Sequence, residues 1–328
     1  MYVVTGGGGF IGSNIVWALE QAGLGPVVVV DRLRDADKWR NLAKRELMDV
    51  VDPANLNAFL EANYNTITAI IHMGAISATT ETDVDLIMDS NFRLSMDLWH
   101  WCSSHRVRYI YASSAATYGD GEHGFVDDVS CEALAKLRPL NPYGWSKQLF
   151  DRRVARIIEG DEPRPPQWAG LKFFNVYGPN EYHKGRMSSV VSQVYKTISD
   201  DEPAVLFRSH HPDYEDGGQL RDFVWVGDCV SIILWLLDNQ DVNGIFNCGT
   251  GKARSFADLA KAVYTALDKN PDIQFVDTPE DIRDKYQYFT EASMDKLHQA
   301  GYNGGSTSLE DGVKEYVQSF LDADDRYR

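Results

Sequence analysis

The chain has 328 residues, 44% of them hydrophobic and 24% charged, which suits a globular protein of one large domain or two moderate ones. Its 32 Lys and Arg against 48 Asp and Glu leave a formal charge of −16, so non-specific binding to nucleic acid or to an anionic membrane is disfavoured, and an anionic substrate must be gathered by local Arg and Lys. The four cysteines are scattered without a C-x-x-C pair, which argues against a disulfide or metal framework and for a reducing compartment. No run of about 18 apolar residues is available to span a bilayer, and the first strand begins at residue 2, leaving no room for a signal peptide. The expected location is the cytoplasm.

Tyr2-Val3-Val4-Thr5 reads as a short buried strand. Glycines 6 to 9 and Gly12 follow, then a helical pattern with Ile11, Ile15, Ala18, Leu19 and Ala22 on one side, then the strand Val27-Val28-Val29-Val30-Asp31. Strand, Gly-rich turn, helix, strand is a dinucleotide-binding unit. Gly6, Gly9 and Gly12 let backbone approach a pyrophosphate, whose charge meets the N–H groups at the helix start. Asp31 ends the second strand, where a carboxylate accepts the adenosine ribose hydroxyls. Arg32, Arg34 and Lys38 follow it and suit a ribose 2′-phosphate equally well, a mixed NAD/NADP signal.

Ala69-Ile70-Ile71-His72 is the next parallel-type strand, leading into the small-residue loop Met73-Gly74-Ala75-Ile76-Ser77. His72 reads as a packed strand-end residue rather than a catalyst. A helix is expected over 85–102, with Asn91 in its first half either facing solvent or bracing backbone near the cofactor. The strand 109–114 ends at Ser113 and Ser114, in the crevice where open α/β sheets bind ligands. Pro142 then starts a helix on which Tyr143 and Lys147, at i and i+4, share a face. An ammonium beside a phenol favours phenolate and draws its pKa toward the working range. The alternation of strand and helix predicts a doubly wound parallel sheet with a smaller mixed α/β substrate domain. We expect residues 1–173 and 220–250 to form the dinucleotide-binding domain and 174–219 and 251–328 the substrate domain. A helix is expected over 187–198, and the strands near 223–226 and 245–247 are expected to rejoin the sheet. Arg221-Asp222 reads as a possible ion pair, and the tryptophans 17, 39, 99, 101, 145 and 235 as packing residues, with Trp145 open to a subunit contact.

The stretches TGGGGFIG (5–12), SSAATYG (113–119), YGWSK (143–147) and FNVYGP (174–179) together resemble the extended short-chain dehydrogenase/reductase family. Within it, residues 181–189 (EYHKGRMSS), RDFVWVGD (221–228), NCGTGKARSF (247–256) and KYQYFT (285–290) are similar to the ADP-glyceromanno-heptose 6-epimerases of lipopolysaccharide core biosynthesis. The resemblance implies inversion at C6 of an ADP-heptose by transient oxidation to a 6-ketone, with tightly bound NADP and return of the hydride. It implies Tyr143 and Lys184 as acid/base groups on opposite faces, Lys147 as the residue that lowers the phenol pKa, and Ser114 as the active-site serine. Cofactor contacts implied are Phe10, Ile11, Asp31, Arg32, Lys38, Met73 to Ser77, Asn91, Lys147 and Val176. Substrate contacts implied are Asn175, Lys184, Phe207, Arg221 and Tyr286. Asp31 beside Lys38 matches the family's arrangement for NADP, with NAD as the alternative. A ring-like homo-oligomer, a pentamer, is also implied.

From the residues alone, Lys184 sits in a loop and reads equally as a solvated charge or a pyrophosphate clamp. Epimerisation through a planar ketone nevertheless needs a proton donor and acceptor on each face. Four departures stand out: Pro53 replaces a lysine that would contact the cofactor, Arg186 replaces a small polar residue and brings a charge able to grip phosphate or alter sugar fit, Gln193 replaces a histidine, and the 210–220 loop is long. The rival readings are another nucleotide-sugar epimerase, a dehydratase, or a non-catalytic NADP-binding protein. A dehydratase needs an acid beside the serine, where Ala115, Ala116 and Thr117 stand; a non-catalytic protein has no need of the Tyr/Lys pair.

Overall fold

The computed structural model describes residues 1–34, 37–283 and 287–328. In chain order the first half runs β1 (Tyr2–Thr5), α1 (Phe10–Gln21), β2 (Val27–Val30), β3 (Asp49–Val51), α2 (Leu56–Asn63), β4 (Ala69–His72), α3 (Val84–Ile87), α4 (Leu94–His105), β5 (Arg108–Ser114), α5 (Cys131–Lys136), α6 (Pro142–Glu159) and β6 (Trp168–Phe173). The second half adds β7 (Asn175–Tyr177), α7 (Val190–Ser199), β8 (Ala204–Phe207), β9 (Leu220–Arg221), β10 (Phe223–Trp225), α8 (Val226–Asp238), β11 (Gly244–Cys248), β12 (Arg254–Ser255), α9 (Phe256–Ala266), β13 (Ile273–Val276), α10 (Glu280–Arg283), α11 (Asp295–Gln299) and α12 (Leu309–Tyr316).

Seven parallel strands form one sheet in the order β11-β6-β5-β4-β1-β2-β3. The order reverses between β1 and β4, so their carboxyl ends diverge and open a crevice. Helices cover both faces, so the central strands are buried: all four residues of β2 and of β4 lie away from solvent. One face packs against α1 and α8, the other against α4 and α6. Each fully buried Val, Ile or Leu contributes about 2 kcal/mol through removal from water.

Of the two strands expected to rejoin the sheet, β11 does so at its edge, while β10 pairs with β7 in a separate two-stranded ribbon. Two further ribbons are β12–β9 and β13–β8, and the second of them packs with α7, α9 and α12 around a second apolar cluster. The helix expected over 85–102 runs from 84 to 105, but its middle, Met88–Arg93, is wound as a wider π-type turn. The helix expected from 187 begins at Val190, where Ser189 caps it by accepting from Ser192 N–H. Two tryptophans depart from the packing role: Trp39 is 52% and Trp145 42% exposed. Among the described residues no helix is long and apolar enough to cross a membrane.

Candidate active site

A cleft of about 1310 Å³ opens along the carboxyl ends of the sheet strands. Its floor is the Gly-rich turn between β1 and α1. A Cβ at Gly12 would lie 2.2 Å from the Gly6 carbonyl oxygen, and Gly6 itself has φ of +65° with the Gly74 backbone 2.7 Å from where its Cβ would be. Only glycine permits this approach, and the cradle it leaves, at the start of α1, suits a pyrophosphate. The Asp31 carboxylate accepts from Gly8 N–H at 2.8 Å and from Lys38 Nζ at 2.5 Å. Arg32 and Arg34 beside it are exposed. The opposite wall is the loop Met73, Gly74, Ala75, Ile76, Ser77. Asn91 braces that loop from behind: its Oδ1 accepts from Ile76 N–H at 2.8 Å, and its Nδ2 donates to Ile76 C=O at 3.0 Å and to Ser146 Oγ at 3.1 Å. The π-type turn aims Asn91 inward, and of its two readings the bracing one describes its place. These residues fit a dinucleotide.

Tyr143 enters the cleft because α6 starts against the end of β5. Asn141 caps α6 by accepting from Gly144 N–H at 2.8 Å, with Pro142 in the first turn. A Cβ at Gly144 would meet the Ala116 carbonyl at 2.7 Å. Glycine there lets the helix close on the loop after β5, so that Tyr143 and Ser114 line the same cleft. Lys147, one turn on and 3% exposed, donates to the Ala112 carbonyl at 2.9 Å. Burial pulls the Lys147 pKa down to about 8, against the opposing pull of Asp151. Burial pushes the Tyr143 phenol up, with Ser114 opposing. The expected lowering of the phenol by Lys147 is not what governs it: burial raises it, and the opposing effect is that of Ser114.

Beneath Lys147 lies a buried network that the sequence reading passed over. Asp151 accepts from Lys172 at 3.0 Å, Ser113 Oγ at 2.6 Å and Tyr111 Oη at 3.3 Å, and both Asp151 and Lys172 are wholly buried. Lys172 also donates to Thr117 Oγ1 at 2.6 Å. A lysine inside a strand buried on both faces must be paired, and that was the available signal. His72 is a packed neutral residue, as expected: Thr5 and Ser95 hold its two ring nitrogens at 2.6 and 3.0 Å, and burial lowers its pKa to about 3.

Lys184 reaches the same cleft from the second half of the chain, on a one-turn 3₁₀ helix, Tyr182–Met187, with its ammonium 5.3 Å from the Phe10 ring centroid. Burial lowers its pKa, against the opposing effect of Glu181. The turn is tied to the cradle by one side-chain amide: Asn41 Nδ2 donates to Gly8 C=O at 2.9 Å and to Asn180 C=O at 3.0 Å. Asn14 Nδ2 adds a bond to Pro179 C=O at 3.0 Å. Gly9, Ile11, Val176, Asn175 and Arg221 also line the cleft. Arg221 donates to the carbonyls of Leu220 and Gln287, and Gln287 Nε2 donates to Gly119 C=O at 2.7 Å. The expected Arg221–Asp222 pair gives way to another arrangement. Asp222 accepts from the N–H groups of Thr250, Gly251 and Ala292 and from the Thr250 hydroxyl, so it serves backbone. Among the described residues, Phe207 and Arg186 do not line the cleft: Phe207 pairs with Val276 in a ribbon and Arg186 is exposed. Tyr286 lies outside the described residues.

A parallel sheet with a glycine cradle at its switch point, and a Tyr-x-x-x-Lys helix over that cradle, define a nucleotide-binding enzyme of the short-chain reductase type. The chain belongs to the NAD dependent epimerase/dehydratase family, whose model matches residues 2–249. It is 50% identical over 335 residues, covering all of both chains, to the ADP-L-glycero-D-manno-heptose-6-epimerase of Fusobacterium nucleatum subsp. nucleatum. It is 51% identical over 332 residues, again covering all of both chains, to the enzyme of that name from Nitratidesulfovibrio vulgaris. Among solved structures it is similar to the Helicobacter pylori ADP-L-glycero-D-manno-heptose-6-epimerase, with a TM-score of 0.79, 26% identity, and 97% and 95% of the two chains covered. It is also similar to the Thermus thermophilus UDP-glucose 4-epimerase in complex with NAD, with a TM-score of 0.73, 26% identity, and 96% and 97% covered.

Proposed function

We propose that this chain is an ADP-L-glycero-D-manno-heptose 6-epimerase that inverts C6 of the sugar with a resident NADP. The observation that carries the reading is that Tyr143 and Lys184, from different halves of the chain, line one cleft together with the glycine cradle. A bound nicotinamide supplies reversible hydride exchange at the sugar carbon. The protein's own residues handle the proton and the pose. Tyr143, with Ser114 in the same cleft, exchanges the proton of the C6 hydroxyl on one face of the carbon. The buried Lys147 holds positive charge behind it, which favours phenolate at the moment of transfer. Lys184, whose proton is loosened by burial, serves the other face. Arg221 and Asn175 line the same cleft, which supports giving them to the nucleotide and the sugar.

NADP is favoured over NAD because the carboxylate that would repel a 2′-phosphate is neutralised: Lys38 pairs with Asp31 at 2.5 Å while Arg32 and Arg34 stand free of the sheet beside it. A homo-oligomer in the cytoplasm, serving lipopolysaccharide core synthesis, completes the proposal. It also assigns residues 1–173 and 220–250 to the dinucleotide and the remainder to the substrate.

The test is direct. Purified protein is offered ADP-, GDP- and UDP-linked sugars, inversion is followed by NMR, and the nicotinamide absorbance is recorded throughout. Inversion at C6 of the ADP-heptose with little net absorbance change is the expected result. Accumulation of reduced cofactor, or an unsaturated elimination product, would overturn it.

A further inference from the structure

Glu181 stands three residues before Lys184 and is wholly buried. Three donors converge on its carboxylate: Ser189 N–H at 2.5 Å, Ser189 Oγ at 2.6 Å and Tyr316 Oη at 2.9 Å. Its backbone carbonyl accepts from Lys184 N–H at 2.9 Å, which closes the turn that carries the lysine. The proposed reaction makes no use of this acid. A buried carboxylate is expensive to keep, and is retained where its charge or its bonds serve something. Burial pushes the Glu181 carboxyl up, and the Ser189 donors, the Lys184 ammonium and Tyr316 oppose that, while Glu181 in turn opposes the lowering of Lys184.

We propose that Glu181 is a positioning residue for Lys184: clamped by Ser189 and Tyr316, its carboxylate holds the lysine-bearing turn above Phe10 and keeps the ammonium charged inside the cleft. The inference rests on the reading of Lys184 as the second acid/base group. Burial penalises the ammonium, and the neighbouring groups do not offset that. His183 is held neutral, with its pKa lowered to about 4. On the cradle side Lys38 is paired with Asp31, and Arg326 and Arg328 near the turn are themselves cations, over Tyr182 and over Trp17. Tyr182 and Tyr316 are pushed up by burial and carry no charge. Glu181 is thus the charge that compensates Lys184.

The experiment titrates Lys184 itself. Lysines are ¹³C-methylated, the Lys184 signal is assigned by its loss in Lys184→Met, and its chemical shift is followed against pH in the wild type, Glu181→Gln, Glu181→Asp and Tyr316→Phe. In Glu181→Gln the amine should lose its proton about one pH unit lower. The kcat of the unmethylated variant should fall by about tenfold or more with KM changed far less. Glu181→Asp should show a smaller shift in the same direction, and provides the reading if Glu181→Gln does not fold. Tyr316→Phe keeps the charge, so it should lower Tm while leaving the Lys184 titration in place. An unmoved Lys184 titration in a folded Glu181 variant would overturn the proposal, whatever the activity. Failure of the catalytic reading would show separately, as full turnover by Lys184→Met.

Discussion

At the scale of the residue, the chemistry of the proposed reading rests on one oxygen and two amines. Tyr143→Phe removes a single atom from a side chain that is already packed, so cofactor loading should persist while kcat falls by about 10²–10⁴-fold. A stopped assay with the ADP-heptose, and the nicotinamide content of the purified variant, check both halves. Lys184→Met should reduce kcat by a similar factor; a rise in KM alone would make the lysine a phosphate clamp. Lys147 carries a pH signature. Its folded-state pKa is about 8 against the ordinary 10.5, so between those values the unfolded chain binds more protons than the native one. Stability owed to this group therefore rises as pH climbs through that window, while any activity that needs the ammonium falls. Lys147→Met should cost about 10²-fold or more in kcat without lowering Tm at neutral pH, and its Tm advantage over the wild type should shrink above pH 8.

At the scale of the element, position is set by contacts that local pattern encodes unevenly. The β1–α1–β2 unit was legible because its glycines, its apolar runs and Asp31 all lie within one short stretch. The Tyr143 helix was legible too, since Pro142 and the i, i+4 pair are local. The partner of a strand is not: β10 has the apolar composition of a sheet strand, yet it pairs with β7. The π-type turn at Met88–Arg93 was invisible for the same reason, being fixed by what Asn91 touches across the fold. That contact set makes a prediction. Asn91→Ala would remove the partners of the Ile76 N–H and C=O in the half-buried cleft wall, at a cost of about 1 kcal/mol. It should lower Tm and weaken dinucleotide binding, measured by calorimetry, with the Tyr143 side of the site left intact. Lys172 was overlooked because it sits in an otherwise apolar strand, where its pairing with Asp151 depends on a helix twenty residues earlier.

At the scale of the molecule, residues 326–328 cross back over the junction of the two halves. The Arg328 guanidinium lies 4.3 Å from the Trp17 ring centroid and donates to Asn14 Oδ1 at 3.0 Å, its backbone N–H donates to Asn180 Oδ1 at 3.0 Å, and Tyr182 Oη bonds the Arg326 carbonyl at 2.6 Å. Such a contact joins elements far apart in sequence, and no spacing rule reveals it. Arg328→Ala should destabilise the fold by about 1–2 kcal/mol through the lost cation–π and hydrogen-bond contacts, read as a lower midpoint in urea. The same junction is where Asn41 grips Gly8 with one hand of its amide geometry and Asn180 with the same nitrogen. On the proposed reading, that shared nitrogen makes the dinucleotide seat and the sugar lever thermodynamic neighbours: whatever grip an arriving heptose adds to the seat, an occupied seat lends back to the heptose in equal measure.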